Sequence, residues 1–174
     1  METKRCNRRS IRLKGWDYST RGPYFITLCV YKWFCLFGEI HDGKMQLNDA
    51  GRMVQSIWMD LPNRFPSVEL GTMVIMPNHL HTIIALKSVE ASTRGAPTVG
   101  DIMGAFKSIT TVRYIAGVKQ NRWPEFYRKL WERNYYEHII RHSDAFHRIQ
   151  RYIELNPSKW KRDRKNPLST RRSS

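Results

Sequence analysis

His79 and His81 stand either side of one leucine at the end of an apolar run, Val74-Ile75-Met76-Pro77-Asn78-His79-Leu80-His81. Alternate residues of a strand point to the same side of a sheet, at a rise of about 3.3 Å per residue. The spacing therefore predicts two imidazoles on one rigid face, with Leu80 turned to the core, and two imidazoles so placed can hold one metal ion. Farther along, Arg148-Ile149-Gln150-Arg151-Tyr152-Ile153-Glu154-Leu155-Asn156 reads as a helix. Tyr152 and Asn156 are four apart and share one helix face, and Ile149 on that face turns it toward the sheet. These residues suggest a metal held by His79, His81 and the Asn156 carbonyl oxygen, with Tyr152 close by. A metal ion beside a phosphodiester neutralises charge on its oxygens and polarises phosphorus. Tyrosine, with an unperturbed pKa of about 10, becomes a nucleophile once its proton leaves, and Arg148, Arg151 and the metal would favour that. Attack would give a phosphotyrosine and release a sugar hydroxyl, which could later attack the ester and rejoin a strand. The bond energy stays in the covalent link, so no ATP is needed, and the chain has no Walker-type glycine loop. Taken singly, each residue also has an ordinary explanation: hydrogen-bonded histidines, a packing tyrosine, and an asparagine that stops a helix before Pro157.

The elements that must position these residues follow from local patterns. Tyr24 to Tyr31, rich in aromatic and β-branched residues after Gly22-Pro23, reads as a buried strand. Asp42-Gly43 between Glu39-Ile40-His41 and Lys44-Met45-Gln46-Leu47 is a two-residue hairpin signal. Asn48 caps a helix whose apolar face is Met53, Val54, Ile57, Trp58 and Leu61, and Pro62 stops it. Val68 to Met76 forms a second long strand, Pro77-Asn78 interrupts it, and His79 to Leu86 resumes. Residues 88–97 are a loop. Thr98 with Asp101 resembles a capping box before a helix carrying Ile102, Phe106 and Ile109. Residues 118–130 read as irregular, Tyr135 to Arg141 as a short strand, and Asp144 to about Asn156, capped by Ser143, as the last helix. The expected fold is α+β: a ferredoxin-like sandwich with a central antiparallel sheet, helices packed on one face of it, and the catalytic helix near the C-terminus.

The chain of 174 residues carries a net charge of +15 and is 41% hydrophobic, enough for one domain with a real core. The charge is uneven. Residues 1–14 hold six Lys/Arg and one acid, residues 159–174 seven and one, and residues 107–158 ten and five, whereas residues 15–106 are close to neutral. The expected organisation is a basic N-terminal arm (1–14), a catalytic domain (15–158) and a basic, disordered tail (159–174). A polyanion is the natural partner, nucleic acid ahead of membrane, because no basic segment also shows an apolar face. Lys107, Arg113, Arg122, Arg128, Lys129, Arg133, Arg148 and Arg151 are candidate phosphate contacts, with Trp123, Phe126, Tyr127 and Trp131 interleaved for stacking on unpaired bases. No apolar run approaches a membrane span of roughly 20 residues, and no apolar segment follows the basic start, so no secretory signal is expected. Cys6, Cys29 and Cys35, odd in number, read as free thiols of a reducing cytoplasm.

Met76-Pro77-Asn78-His79-Leu80-His81 resembles the His-hydrophobic-His motif of the HUH single-strand nucleases, and Tyr152 with Asn156 resembles the final helix of its single-tyrosine transposases. More specifically, residues 8–160 resemble the REP-associated tyrosine transposases. The likeness includes Tyr18-Ser19, Leu36-Phe37-Gly38-Glu39, Leu47-Asn48-Asp49-Ala50-Gly51-Arg52, Phe106-Lys107-Ser108, Trp131 to His138 and Tyr152 to Pro157. The resemblance implies a cytoplasmic, nucleoid-associated enzyme, monomeric or homodimeric, that cleaves and rejoins single-stranded DNA near palindromic hairpins. His79 and His81 would ligate Mg²⁺ or Mn²⁺, and Tyr152 would form a 5′-phosphotyrosine and free a 3′-hydroxyl. Related transposases carry Gln where Asn156 stands, one carbon longer. Imidazoles with an amide oxygen suit Mn²⁺ somewhat better than Mg²⁺. Tyr136 and His138, alternating on one strand, are a second tyrosine–histidine pair, read as bracing the sheet or positioning DNA. The alternative to cleavage is a regulator that binds hairpin DNA or RNA without cutting it.

Overall fold

The computed structural model describes residues 23–87 and 96–169. The expected N-terminal arm, Cys6, Tyr18-Ser19, most of the 88–97 loop and residues 170–174 lie outside the described residues. Strand β1 (Pro23–Cys29) is followed by a hairpin, β2 (Gly38–His41) and β3 (Lys44–Leu47). Next come α1 (Asp49–Met59), the short α2 (Leu61–Arg64), β4 (Val68–Met76) and β5 (His79–Leu86). The long α3 (Val99–Asn121), β6 (Tyr136–Ile139), α4 (Ser143–Glu154) and a 3-10 segment, Pro157–Arg162, complete the order. The main sheet runs β4-β5-β1-β6 with every neighbouring pair antiparallel. That is the ferredoxin-like strand order, with β2–β3 as a separate ribbon inserted after the first strand.

Local chemistry explains most boundaries. Asp42 and Gly43 take positive φ values of 48° and 72°, the left-handed pair that a tight hairpin needs and that Gly tolerates at no steric cost. The Asn48 side chain accepts a hydrogen bond from the Gly51 N–H at 2.8 Å and so starts α1. Thr98 and Asp101 form the reciprocal capping box of α3. Pro62 does not close α1; it opens α2, where its missing N–H is one that a helix start would leave unbonded. Helix α3 runs through Asn121, past the expected irregular start at 118, and ends where Arg122 takes a left-handed conformation.

Two differences from expectation bear on the site. Helices cover both faces of the sheet rather than one. On one face Tyr24, Ile26, Leu28, Leu80 and Ile84 meet α1 and α3, which lock together through the edge-on rings of Trp58 and Phe106 at 5.1 Å. On the other, α4 lays Ile149 and Ile153 against Phe25, Val74 and Ile83. The reason is the period of β5: its odd positions, His79, His81 and Ile83, make a second buried face that needs a cover. The second difference is the chain from Lys159, expected as a disordered tail. It continues as the 3-10 segment and turns through Ser169, with Asn166 and Ser169 buried. Its own polar groups hold it: Asn166 donates to the Trp160 carbonyl at 3.0 Å, and Asn78 donates to the Lys165 carbonyl at 2.7 Å.

Candidate active site

Register builds the centre. β1 pairs with β5 so that Thr27 lies opposite His81 and Cys29 opposite His79, while β6 sets Tyr136 opposite Thr27. The two histidines are 0% and 1% exposed, under α4 and the C-terminal segment. Their Nε2 atoms converge to 3.2 Å. The outward-turned nitrogens are both occupied: His79 Nδ1 meets Asn78 Oδ1 at 2.8 Å, and His81 Nδ1 meets Thr27 Oγ1 at 2.7 Å. The Asn78 amide nitrogen donates to the Trp33 and Lys165 carbonyls, so its oxygen is the acceptor and His79 Nδ1–H is the donor. That assignment leaves the His79 Nε2 lone pair pointing into the centre. Thr27 can accept the His81 Nδ1 proton in the same way.

Helix α4 adds the other two residues. The Tyr152 hydroxyl lies 3.4 Å from His81 Nε2, and the ring stands edge-on to Phe25 at 6.0 Å. Tyr152 is 42% exposed, so one side of it faces solvent above the buried histidines. Asn156 lies past the last turn of α4, 4% exposed, and its side-chain amide is close enough to influence the ionisation of both His79 and Tyr152. The Asn156 side-chain oxygen, Oδ1, is buried and accepts no hydrogen bond. A buried acceptor without a partner costs roughly 1–3 kcal/mol. The structure brings His79, His81, Tyr152 and Asn156 together in one cluster. The second tyrosine, Tyr136, is on the same sheet face but packs against Phe25 at 6.0 Å, and Tyr152 is the one that reaches His81.

The donors fit a divalent ion. Two nitrogens each about 2.1 Å from one ion stand about 3 Å apart, close to the 3.2 Å between the Nε2 atoms. The unpartnered Asn156 oxygen could serve as a third donor, and Asn78 and Thr27 hold the two imidazoles in orientation. Electrostatics agree with neutral ligands. Burial pushes the His79 imidazole well below its ordinary range, and the neighbouring His81 and Lys165 push the same way. Burial, helped by Lys165, lowers His81 to about 3. Tyr152 departs from expectation. Burial raises its pKa and the charge of Asp163 adds to the rise, whereas the Asn156 hydrogen bond lowers it. Arg148 and Arg151 are not among the groups that set it; both point outward from α4.

Three contributors were missed from sequence. Asn78 and Thr27 act through strand pairing that is invisible without register, although Thr27 alternates with Phe25 on the polar side of β1. Asp163 stands with its Oδ2 3.8 Å from His79 Nε2, its side chain 13% exposed, in a segment read as tail.

Of the candidate DNA contacts, Arg128, Lys129 and Arg133 line, with Lys107, a cleft of about 460 Å³ beside α3. The Lys107 ammonium there is engaged, donating to the Glu132 and Arg133 carbonyls at 2.9 and 3.1 Å. Arg113 and Arg122 are exposed on α3 and at its end. Among the interleaved aromatics, Trp123 and Phe126 pack on Tyr114, and Trp131 is buried with its indole N–H donated to Thr110 at 2.8 Å. Only Tyr127 of the four is exposed. It stacks on Tyr31 at 6.5 Å, with the Lys32 and Lys129 ammoniums each 4.5 Å from one of the two rings. Lys32 had no signal in the sequence.

Comparison with known proteins gives three results. An uncharacterised protein from Haemophilus influenzae is 40% identical over 172 residues, covering 90% of this chain and 92% of that one. A solved structure of a REP-associated tyrosine transposase bound to a REP hairpin has a TM-score of 0.58 at 17% identity, covering 85% of this chain and 74% of that one, a likeness of fold. Residues 52–156, which run from α1 to Asn156 and include both histidines and Tyr152, match the IS200-like transposases. That span is more than half of the sequence, and the chain therefore belongs to the IS200-like transposase family.

Proposed function

We propose that the protein is a metal-dependent endonuclease and strand-transferase for single-stranded DNA, acting beside palindromic hairpins through a 5′-phosphotyrosine at Tyr152. The observation that carries this reading is the Tyr152 hydroxyl 3.4 Å from His81 Nε2, on a half-exposed ring above two buried, converging imidazoles. His79, His81 and Asn156 would hold Mg²⁺ or Mn²⁺, with Asn78 and Thr27 fixing the imidazoles. The ion, when bound, would neutralise charge on the non-bridging phosphate oxygens and polarise phosphorus. The Tyr152 oxygen attacks phosphorus and its proton passes to solvent. The bond to the 3′-oxygen breaks, and that oxygen takes a proton to become a free 3′-hydroxyl. Strand transfer is the reverse attack by a 3′-hydroxyl on the phosphotyrosine. Arg148 and Arg151, exposed on the same helix, would take flanking phosphates, and the Arg128–Lys129–Arg133 cleft would take DNA farther out. The hairpin in the structure of the similar transposase supports hairpin DNA as the partner. Among the described residues no helix is long and apolar enough to cross a membrane. The proposed place of action is the cytoplasm, on the nucleoid.

The test is a covalent adduct. The full chain is incubated with Mn²⁺ and an end-labelled single strand carrying a hairpin from the DNA beside its own gene, then denatured. Wild type should carry label on protein, and Tyr152→Phe should carry none. An adduct on Tyr152→Phe sinks the nucleophile assignment. Hairpin binding without any adduct in wild type, with either metal, would instead leave a non-cleaving regulator.

A further inference from the structure

The Tyr31–Tyr127 pair stands outside the catalytic cluster, and the mechanism makes no use of it. The rings lie within 10° of parallel with centroids 6.5 Å apart. Offset stacks span about 4.5–7 Å between centroids, so at this spacing the rings overlap little and each leaves most of a face uncovered by the other. Tyr127 is 53% exposed. The pair is nonetheless firmly built. Tyr31 follows β1, and Tyr127 sits in the chain between α3 and β6. Hydrogen bonds lace the two segments together. The Tyr31 N–H donates to the Leu130 carbonyl at 2.9 Å, the Glu132 N–H to the Cys29 carbonyl at 2.8 Å, and the Lys32 N–H to the Glu132 carboxylate at 3.3 Å. Five non-glycine residues among those described take positive φ, and three of them, Lys32, Trp33 and Arg128, flank this pair. Left-handed backbone is costly for such residues. The other two have a local cause, the hairpin at Asp42 and the end of α3 at Arg122. Around the pair, the Lys32 ammonium lies 4.5 Å from the Tyr127 ring, the Arg128 guanidinium 5.9 Å from the same ring, and the Lys129 ammonium 4.5 Å from Tyr31. Among the described residues, the one carboxylate within reach of these three cations is Glu132, 4.0 Å from Lys129.

Three cations around partly bared aromatic faces suit an anion that carries flat rings. A single DNA strand is such a ligand: every base has a π-face, and stacking tolerates any sequence. An ammonium on a flexible four-carbon stem can swing from a ring to a phosphate. The place also suits the strand that is to be cut. Val30, next to Tyr31, donates its N–H to the carbonyl of Asn78, the neighbour of His79, at 2.8 Å. On the other side, Arg128 and Lys129 continue into the basic cleft beside α3. From this placement we propose that Tyr31 and Tyr127 form a stacking platform for one unpaired base of the DNA strand, with Lys32, Arg128 and Lys129 taking the phosphates on either side of it. The inference rests on the single-strand DNA reading given above. It adds a grip on the strand outside the cutting centre, one that does not read sequence.

The test is fluorescence anisotropy of the full chain with a dye-labelled DNA hairpin carrying single-stranded flanks, without divalent metal so that nothing is cut. Tyr127→Ala should weaken binding about tenfold, and Tyr127→Phe, which keeps the ring, should bind within about twofold of wild type. Abasic nucleotides placed one at a time along the flanks locate the base. At one position the missing base should cost wild type about tenfold and Tyr127→Ala almost nothing. Losses that simply multiply at every position overturn the platform and leave the DNA reading standing. Wild type binding the flanked hairpin no more tightly than a blunt duplex of equal length overturns both. RNA flanks of the same sequence bound more tightly than the DNA ones overturn the choice of strand. A second measurement needs no variant to fold. The fluorescent base 2-aminopurine, placed along the flanks, should lose emission at one position on binding wild type, because stacking quenches it; undiminished emission at every position overturns the proposal.

Discussion

His81 uses both ring nitrogens: one is tied to Thr27, and the other faces His79 and Tyr152. Its neutrality has a cost that depends on pH. The folded pKa, about 3, lies below the ordinary value of 6.5. The unfolded chain therefore binds more protons in that interval, and stability falls as pH drops from about 6.5 toward 3. For the metal-free protein this loss should reach on the order of 3 kcal/mol by pH 4. Urea unfolding at pH 7 and pH 4 should show a distinctly smaller difference for His81→Asn than for wild type; equal differences would refute the assignment. The pairing of His79 with His81 was legible in the sequence because the strand repeat is two and one leucine separates them. Their partners were not. Thr27 is 54 positions from His81 and Lys165 is 87 from Asn78, and only strand register and the turn after α4 bring them together.

Helix α4 carries Tyr152, and its seat decides where the hydroxyl lies. Ile153 is completely buried against Ile83 and Ile140 on the sheet face that also bears the histidines. Removing that side chain leaves a cavity in the turn that carries Tyr152. Ile153→Ala should lower stability by about 2–4 kcal/mol. It should also slow adduct formation beyond any loss of folded protein, measured by thermal unfolding alongside single-turnover cleavage. Unchanged cleavage by the folded fraction would show that the helix seat does not position Tyr152. The helix itself was readable, since Ile149, Ile153, Tyr152 and Asn156 follow its period. That it covers the second sheet face was not, because the covering layer depends on which face of β5 needs burial. The segment after Pro157 misled for a related reason. Its Lys and Arg residues dominate the composition, while the residues that order it are few and polar: Asn166, Asp163 and the distant Asn78.

At the level of the whole molecule the charge of +15 dominates any encounter with DNA. Each phosphate neutralised releases counterions, so hairpin affinity should fall linearly on a log–log plot against salt. Charge-removing substitutions at Arg128 and Arg133, which line the cleft, should each reduce that slope by about one unit and leave Mn²⁺ affinity unchanged. Filter binding across a salt series checks this, and a slope unaltered by both substitutions would remove the cleft from the DNA path. Here the sequence was a good guide to sign and region. It was a poor guide to which side chains are free: Lys107 caps loop carbonyls, and Trp123, Phe126 and Trp131 support α3.

The 71 positions between His81 and Tyr152 also set an order in time. A ribosome adding about 5–20 residues per second releases the two histidines several seconds before it makes the tyrosine, and Asp163 later still. β1 and β5 can pair, with both imidazoles facing one way, while the nascent chain still lacks Tyr152. The two imidazoles are thus made before Tyr152 and Asn156, and on the proposed mechanism no growing chain could break a strand until α4 had been laid down.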